Sequence, residues 1–173
     1  DFRKFTIPKY PFKVVSNIPY GITSEIFKIL MFDNIDNFLG GSIVLQFEPA
    51  QKLFLSRIHN PITVFYHTFF DLKFLYEVNP ESFLPPPTVK SALLKIERKQ
   101  SSFDFELKVK YLNFISFFLQ KPDLLVNTAL KSLFRKNQVR IISQKFGINL
   151  NTQIVCLTHN QWKNCFYYMS RIN

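Results

Sequence analysis

The first 96 residues alternate short β-prone runs with amphipathic stretches, an order that few architectures accept. Phe12-Lys13-Val14-Val15-Ser16 reads as a strand that stops at Asn17-Ile18-Pro19-Tyr20-Gly21. Proline denies its predecessor a helical backbone and has no N–H of its own, so the strand must run into a turn there. Thr23 or Ser24 then caps a helix reaching about Phe32, with Ile26, Ile29 and Leu30 on one face. Gly40-Gly41 reads as a break in the chain, followed by a buried strand from Ser42 to Phe47 and a helix from about Pro49 to Ile58. The apolar stretch from Val64 to Val78 is ambiguous by periodicity, but Leu72 to Val78 alternates and reads as a strand. Ser91 to Ile96 supplies the last one. The expectation is an α/β domain over residues 1–100 with a mostly parallel sheet.

From about Ser101 the texture changes. Tyr111, Leu112, Ile115, Phe118 and Leu119 recur at helical spacing, as do Leu130, Leu133 and Phe134, and later Trp162, Phe166 and Met169. Pro122-Asp123, Gly147 and Asn149 interrupt them, so residues 101–173 read as a small all-helical domain. Charge divides the same way. Residues 1–94 carry 9 basic and 8 acidic side chains, whereas residues 95–173 carry 13 and 4. A near-neutral globular half is thus joined to a cationic half suited to a polyanion. Every apolar run is interrupted well short of the roughly 18–20 residues a membrane span needs. Two cysteines, Cys156 and Cys165, suit free thiols in a reducing cytosol rather than a disulfide scaffold.

Asn17-Ile18-Pro19-Tyr20 falls at the carboxyl end of a predicted strand, where open α/β sheets place their ligands. The exocyclic amine of a nucleobase is a poor nucleophile because its lone pair is delocalised into the ring. Two acceptors gripping its hydrogens, the Asn17 side-chain oxygen and the Ile18 carbonyl, would fix it and favour the pyramidal form. Pro19 would stiffen the turn, and Tyr20 would offer a plane for an extruded base. Such stacking is worth about 1–3 kcal/mol, comparable to the cost of unstacking. The same four residues also serve as an ordinary turn. Likewise Pro85-Pro86-Pro87 makes a stiff connector, yet a connector does not need Phe83. A proline arm holding Phe83 near the sheet's carboxyl edge would complete a sandwich with Tyr20.

With both motifs in view, the chain resembles the erythromycin-resistance (Erm) rRNA adenine N6-methyltransferases, within the wider rRNA adenine dimethylase family. Asn17-Ile18-Pro19-Tyr20 matches the family's Asn-Ile/Leu-Pro-Tyr motif, and Phe83-Leu84-Pro85-Pro86-Pro87-Thr88-Val89 its Phe-x-Pro-x-Pro-x-Val signature. The segment from Gln46 to Leu53 matches a third, with Lys52 where Arg is usual, so that a phosphate contact survives but a bidentate one does not. The resemblance implies a Rossmann-like S-adenosylmethionine-dependent methyltransferase domain followed by a basic helical domain. It implies that Asn17 serves both cofactor and target amine, that Tyr20 and Phe83 clasp the flipped adenine, and that Asp1, with Phe2, meets the adenine of S-adenosylmethionine. The implied target is 23S rRNA and the implied outcome resistance to macrolides, lincosamides and streptogramin B. Ile18 in the first motif tilts the reading toward that branch. The 16S rRNA dimethylases share both motifs and stand as the alternative, as does a non-catalytic rRNA-binding factor of the same fold.

Family members open with a Gly-rich cofactor loop, and none of Gly21, Gly40, Gly41 or Gly147 forms one. The expectation is therefore a chain truncated at its N-terminus and inactive as it stands. Lys131, Arg135, Lys136 and Arg140, spaced to share one helix face with no acid between residues 124 and 173, are expected to meet RNA phosphates. Lys52 is expected to do the same. His59 and His67 lack the partners of a zinc site, and no metal is expected. A cytoplasmic bacterial monomer, acting on neither DNA nor membrane, completes the reading.

Overall fold

Strand β1 (Phe12–Asn17) forms where expected, with half-buried Phe12, Val14 and Ser16 alternating with exposed Lys13, Val15 and Asn17. The computed structural model describes residues 6–55, 57, 59–101 and 103–171. Helix α1 (Thr23–Lys28) follows, buries Ile26 and Phe27, and widens into a π turn over Ile29–Asp33. Its N-cap is Ile22 and no side chain caps it, so neither Thr23 nor Ser24 plays the expected part.

β2 (Phe38–Gln46) runs straight through Gly40 and Gly41, which therefore do not break the chain. Their role is close approach. Gly40 has φ +132, and a Cβ there would lie 2.1 Å from the Ile96 carbonyl oxygen; one on Gly41 would lie 1.9 Å from that of Val14. A register shift between Phe12 and Lys13 accompanies them, as glycine in a strand interior often signals. Helix α2 (Phe47–Lys52) begins two residues earlier than expected and ends well short of Ile58. Leu53 and Phe54 bond back three residues, to Ala50 and Gln51, which tightens and closes the helix.

After helix α3 (Pro61–Phe69), β3 (Phe70–Val78) and β4 (Ser91–Arg98) complete a sheet of order β1-β2-β4-β3. β1 pairs with β2 in parallel, but β4 is antiparallel to both β2 and β3. Three strands thus run one way and the fourth runs against them. The mostly parallel expectation holds for strand direction and fails for pairing, since two of the three ladders are antiparallel. The cause is the insertion of β4 between its neighbours, which no local signal announces. Ala92, Leu94 and Ile96 bury one face of β4.

The chain divides into two compact units, one from residues 1–55 and 69–105, the other from residues 56–68 and 106–173. Residues 56–68 had been read as part of the first. Their contacts lie in the second, where the Thr68 hydroxyl donates to the Val64 carbonyl (2.8 Å) and meets the Tyr111 hydroxyl (3.0 Å). Helices α4 (Lys108–Leu119), α5 (Val126–Leu130), α6 (Lys136–Phe146) and α7 (His159–Ser170) complete that unit. Its core is aromatic: Tyr111, Phe114, Phe118, Trp162 and Phe166 meet mostly edge to face. Thr158 caps α7 reciprocally with Gln161. No helix of the described residues is long and apolar enough to cross a membrane.

Candidate active site

At the carboxyl end of β1 the ladder continues one residue beyond the strand. The Ile18 N–H donates to the Val44 carbonyl (3.0 Å), and the Ile18 side chain is buried. Pro19 ends the pairing, Gly21 takes φ +88, and the chain turns into α1. The result is a short loop held to β2 at its root, with the Asn17 side chain exposed. Among the described residues neither the Asn17 amide nor the Ile18 carbonyl is committed to a hydrogen bond. Two acceptors thus stand free at the carboxyl ends of a parallel strand pair.

Tyr20 is held by its hydroxyl. Its hydroxyl lies 2.6 Å from the hydroxyl of Ser91, a fully buried residue at the start of β4. Ser91 pairs with Gln46 of β2 on one side and Val78 of β3 on the other. Phe83 follows a turn at Pro80–Ser82, in extended backbone, and is half-buried. The neighbouring Leu84 is almost wholly exposed and is joined to Pro85 by a cis peptide bond. No ring contact joins Tyr20 to Phe83 among the described residues. Thr23 at the start of α1 has a buried hydroxyl without a hydrogen-bond partner.

Lys52 ends α2 and is paired with Glu48 one turn earlier, at 2.8 Å. Its ammonium beside Glu48 holds that carboxyl below the usual range. Both are well exposed, so the pair is weak enough for a phosphate to displace the carboxylate. A cavity of about 370 Å³ lies alongside, lined by Gln46, Phe47, Glu48, Pro49, Lys52, Val89 and Lys90.

Lys131, Arg135, Lys136 and Arg140 of the second unit are exposed but do not share one helix. α5 ends at Leu130; Lys131 is its C-cap, Arg135 the N-cap of α6, and Lys136 and Arg140 lie within α6. The break comes from Ser132, whose side chain donates to the Ala129 carbonyl (2.6 Å) while the backbone closes three-residue turns through Leu133. The four cations therefore flank a turn and the start of a helix. Asp1 and Phe2 lie outside the described residues. Among the described residues no three His, Cys, Asp or Glu side chains come together as a metal would need.

Sequence reasoning assigned no role to Ser91, which lies two residues beyond the Phe83–Val89 motif. A polar residue opening an apolar strand, where β4 buries every second side chain, was the available signal.

The sequence profile described as "Ribosomal RNA adenine dimethylase" matches residues 1–171. The chain belongs to that family. An rRNA adenine N-6-methyltransferase of Bacteroides fragilis is 73% identical over 172 residues, covering 99% of this chain and 65% of the relative. A ribosomal RNA small subunit methyltransferase A of Malacoplasma penetrans is 32% identical over 153 residues, covering 86% of this chain and 54% of the other. The crystal structure of 23S rRNA methyltransferase ErmE superposes with a TM-score of 0.78 at 22% identity, over 98% of this chain and 70% of that one. The likeness to ErmE shows the Rossmann-like methyltransferase fold with its helical C-terminal portion. The chain thus spans just under two thirds of the length of the Bacteroides relative.

Proposed function

We propose that this chain forms the target-gripping part of an S-adenosylmethionine-dependent rRNA adenine N6-methyltransferase acting on 23S rRNA. Asn17-Ile18-Pro19-Tyr20 at the open carboxyl end of β1, with both acceptors uncommitted, carries this reading. The side-chain oxygen of Asn17 and the carbonyl of Ile18 accept the two hydrogens of the adenine amine and aim its lone pair away from the loop. Pro19 holds the loop in that geometry. Tyr20 and Phe83 face the extruded base, and stacking worth roughly 1–3 kcal/mol offsets the few kcal/mol lost on flipping.

The free amide of Asn17 at the ends of parallel strands fits a cofactor seated there. S-adenosylmethionine would supply an electrophilic methyl on a sulfonium. Asn17 orients the amine toward it, and Asp1 and Phe2 would hold its adenine. No strong base is needed, because positioning supplies most of the rate. In the helical unit, Arg135, Lys136 and Arg140 lie in the N-cap and opening turns of α6, whose first turn has no acidic residue, and Lys131 caps α5 just ahead of them. That combination favours RNA phosphates. Lys52 adds a further phosphate contact. A ribosomal substrate puts the work in the cytoplasm.

The fold shared with 23S rRNA methyltransferase ErmE, together with 73% identity to an rRNA adenine N-6-methyltransferase against 32% to a small-subunit enzyme, supports the 23S reading and the macrolide, lincosamide and streptogramin B resistance that goes with it. The test is expression of the full-length chain in a macrolide-sensitive bacterium, with methylated adenines mapped in both rRNAs. The expected result is a modified adenine in 23S rRNA and raised macrolide tolerance. Modification of 16S rRNA alone, with susceptibility unchanged, would refute the branch. Asn17→Ala should lower kcat about 100-fold while RNA affinity holds.

A further inference from the structure

We propose that Ser91 is a positioning residue for base stacking: it fixes the plane of the Tyr20 ring and ties the two aromatic halves of the clasp to one strand. The inference rests on the reading of Tyr20 as the stacking platform and extends it to a residue that neither motif reading assigned.

The Tyr20 ring stands on a short loop and is over a third exposed, so packing covers only part of it. Its hydroxyl, however, meets the Ser91 hydroxyl at 2.6 Å across 71 residues of chain. A phenolic O–H prefers the plane of its ring, so a partner at fixed position restricts rotation about the ring's long axis as well as the swing of the side chain. Ser91 is such a partner. It is completely buried, sits in β4 between β2 and β3, and is held in register on both sides. The N–H of Phe47, donating to the Lys90 carbonyl at 3.0 Å, secures the residue before it.

The same strand start receives the proline arm. Phe83 lies eight residues before Ser91, and the arm between them contains three prolines. One end of the clasp is therefore bonded to the strand into which the other end feeds. A bond that merely satisfied a buried hydroxyl would need no partner on the exposed rim of the sheet, and a nearby backbone carbonyl would serve as well. Ring rotation is what this particular partner controls.

The test uses the full-length chain with Ser91→Ala, Ser91→Cys, Tyr20→Phe, Tyr20→Ala and the double variant Ser91→Ala/Tyr20→Phe. Ser91→Cys keeps the volume and most of the packing while weakening the bond, which guards against a folding defect in Ser91→Ala. Turnover and RNA affinity are measured separately. The fluorescence of 2-aminopurine at the target position reports stacking of the flipped base. The expected result is a fall in kcat of about three- to tenfold in Ser91→Ala, Ser91→Cys and Tyr20→Phe, the scale of one lost hydrogen bond. RNA affinity should change little, the 2-aminopurine quench should weaken, and the double variant should be no worse than either single one. Unchanged kcat and quench in folded Ser91 variants, or additive losses in the double variant, would overturn the positioning role while leaving Tyr20 stacking intact. Full turnover in Tyr20→Ala would instead remove the stacking reading itself, and this inference with it.

Discussion

Gly41→Ala puts the packing of β1 on β2 to a direct test, because β1 carries Asn17 and the loop that holds Tyr20. An added Cβ would stand 1.9 Å from the carbonyl oxygen of Val14, where ordinary contact begins at 3.4 Å. The obstacle is backbone, with the Val14 carbon and nitrogen also within 3.0 Å, so no side chain can swing aside to make room. Relief requires β1 to move off by about 1.5 Å, enough to break the ladder bonds beside Val14. Losing two of them costs about 1 kcal/mol each, and residual overpacking adds about 1–3 kcal/mol. The expected destabilisation is therefore about 3–5 kcal/mol, a large share of the roughly 5–15 kcal/mol that holds a domain together. Urea unfolding followed by circular dichroism would measure it. Peptide-resolved hydrogen exchange would locate it, as lost protection over Phe12–Asn17 and Phe38–Gln46 with the helical unit unaffected. Gly41→Ala with wild-type stability and wild-type protection in β1 would refute the close-approach argument.

Two further outcomes follow from the helical unit. Burial pushes the Cys165 thiol up to about 12, while Cys156 is exposed. A thiol reagent at pH 8 should therefore modify Cys156 at once and Cys165 only as the unit opens. The stability held by the neutral Cys165 is whole below about pH 8.5 and drains as pH rises toward 12, because the unfolded chain gives up that proton first. Equal labelling rates, or an alkaline limb of the urea midpoint unchanged in Cys165→Ala, would count against that environment. Reversing charge at Lys131, Arg135, Lys136 and Arg140 together should flatten the slope of log K against log salt for RNA by about three, at roughly 0.7–0.9 per phosphate. An unchanged slope would mean that these side chains do not meet phosphate.

What could be read from the chain, and what could not, divides along physical lines. β1 and β4 were legible because a β-prone run and, for β1, a proline stop are local signals, and both ends of the candidate clasp lie near them. Gly40 and Gly41 were misread because a glycine pair looks the same whether it releases the chain or lets two backbones touch. The decision lies with Val14 and Ile96, each more than 20 residues away. The spacing of Lys131, Arg135, Lys136 and Arg140 fits a continuous helix as well as a turn between two, and the choice falls to Ser132, whose hydroxyl competes for the Ala129 carbonyl. The stretch from Val64 to Val78 was ambiguous because its two halves answer to different units. Its helical part packs with Tyr111 through Phe65 and Thr68, and its strand with β4, without a glycine or proline between them. The Tyr20–Ser91 bond belongs to the same class, since it joins residues 71 apart. Motif residues were visible because their chemistry is local. The residue that holds one of them in place was hidden because holding is a property of the sheet. A search confined to motifs therefore finds Tyr20 and misses the strand position that its hydroxyl meets.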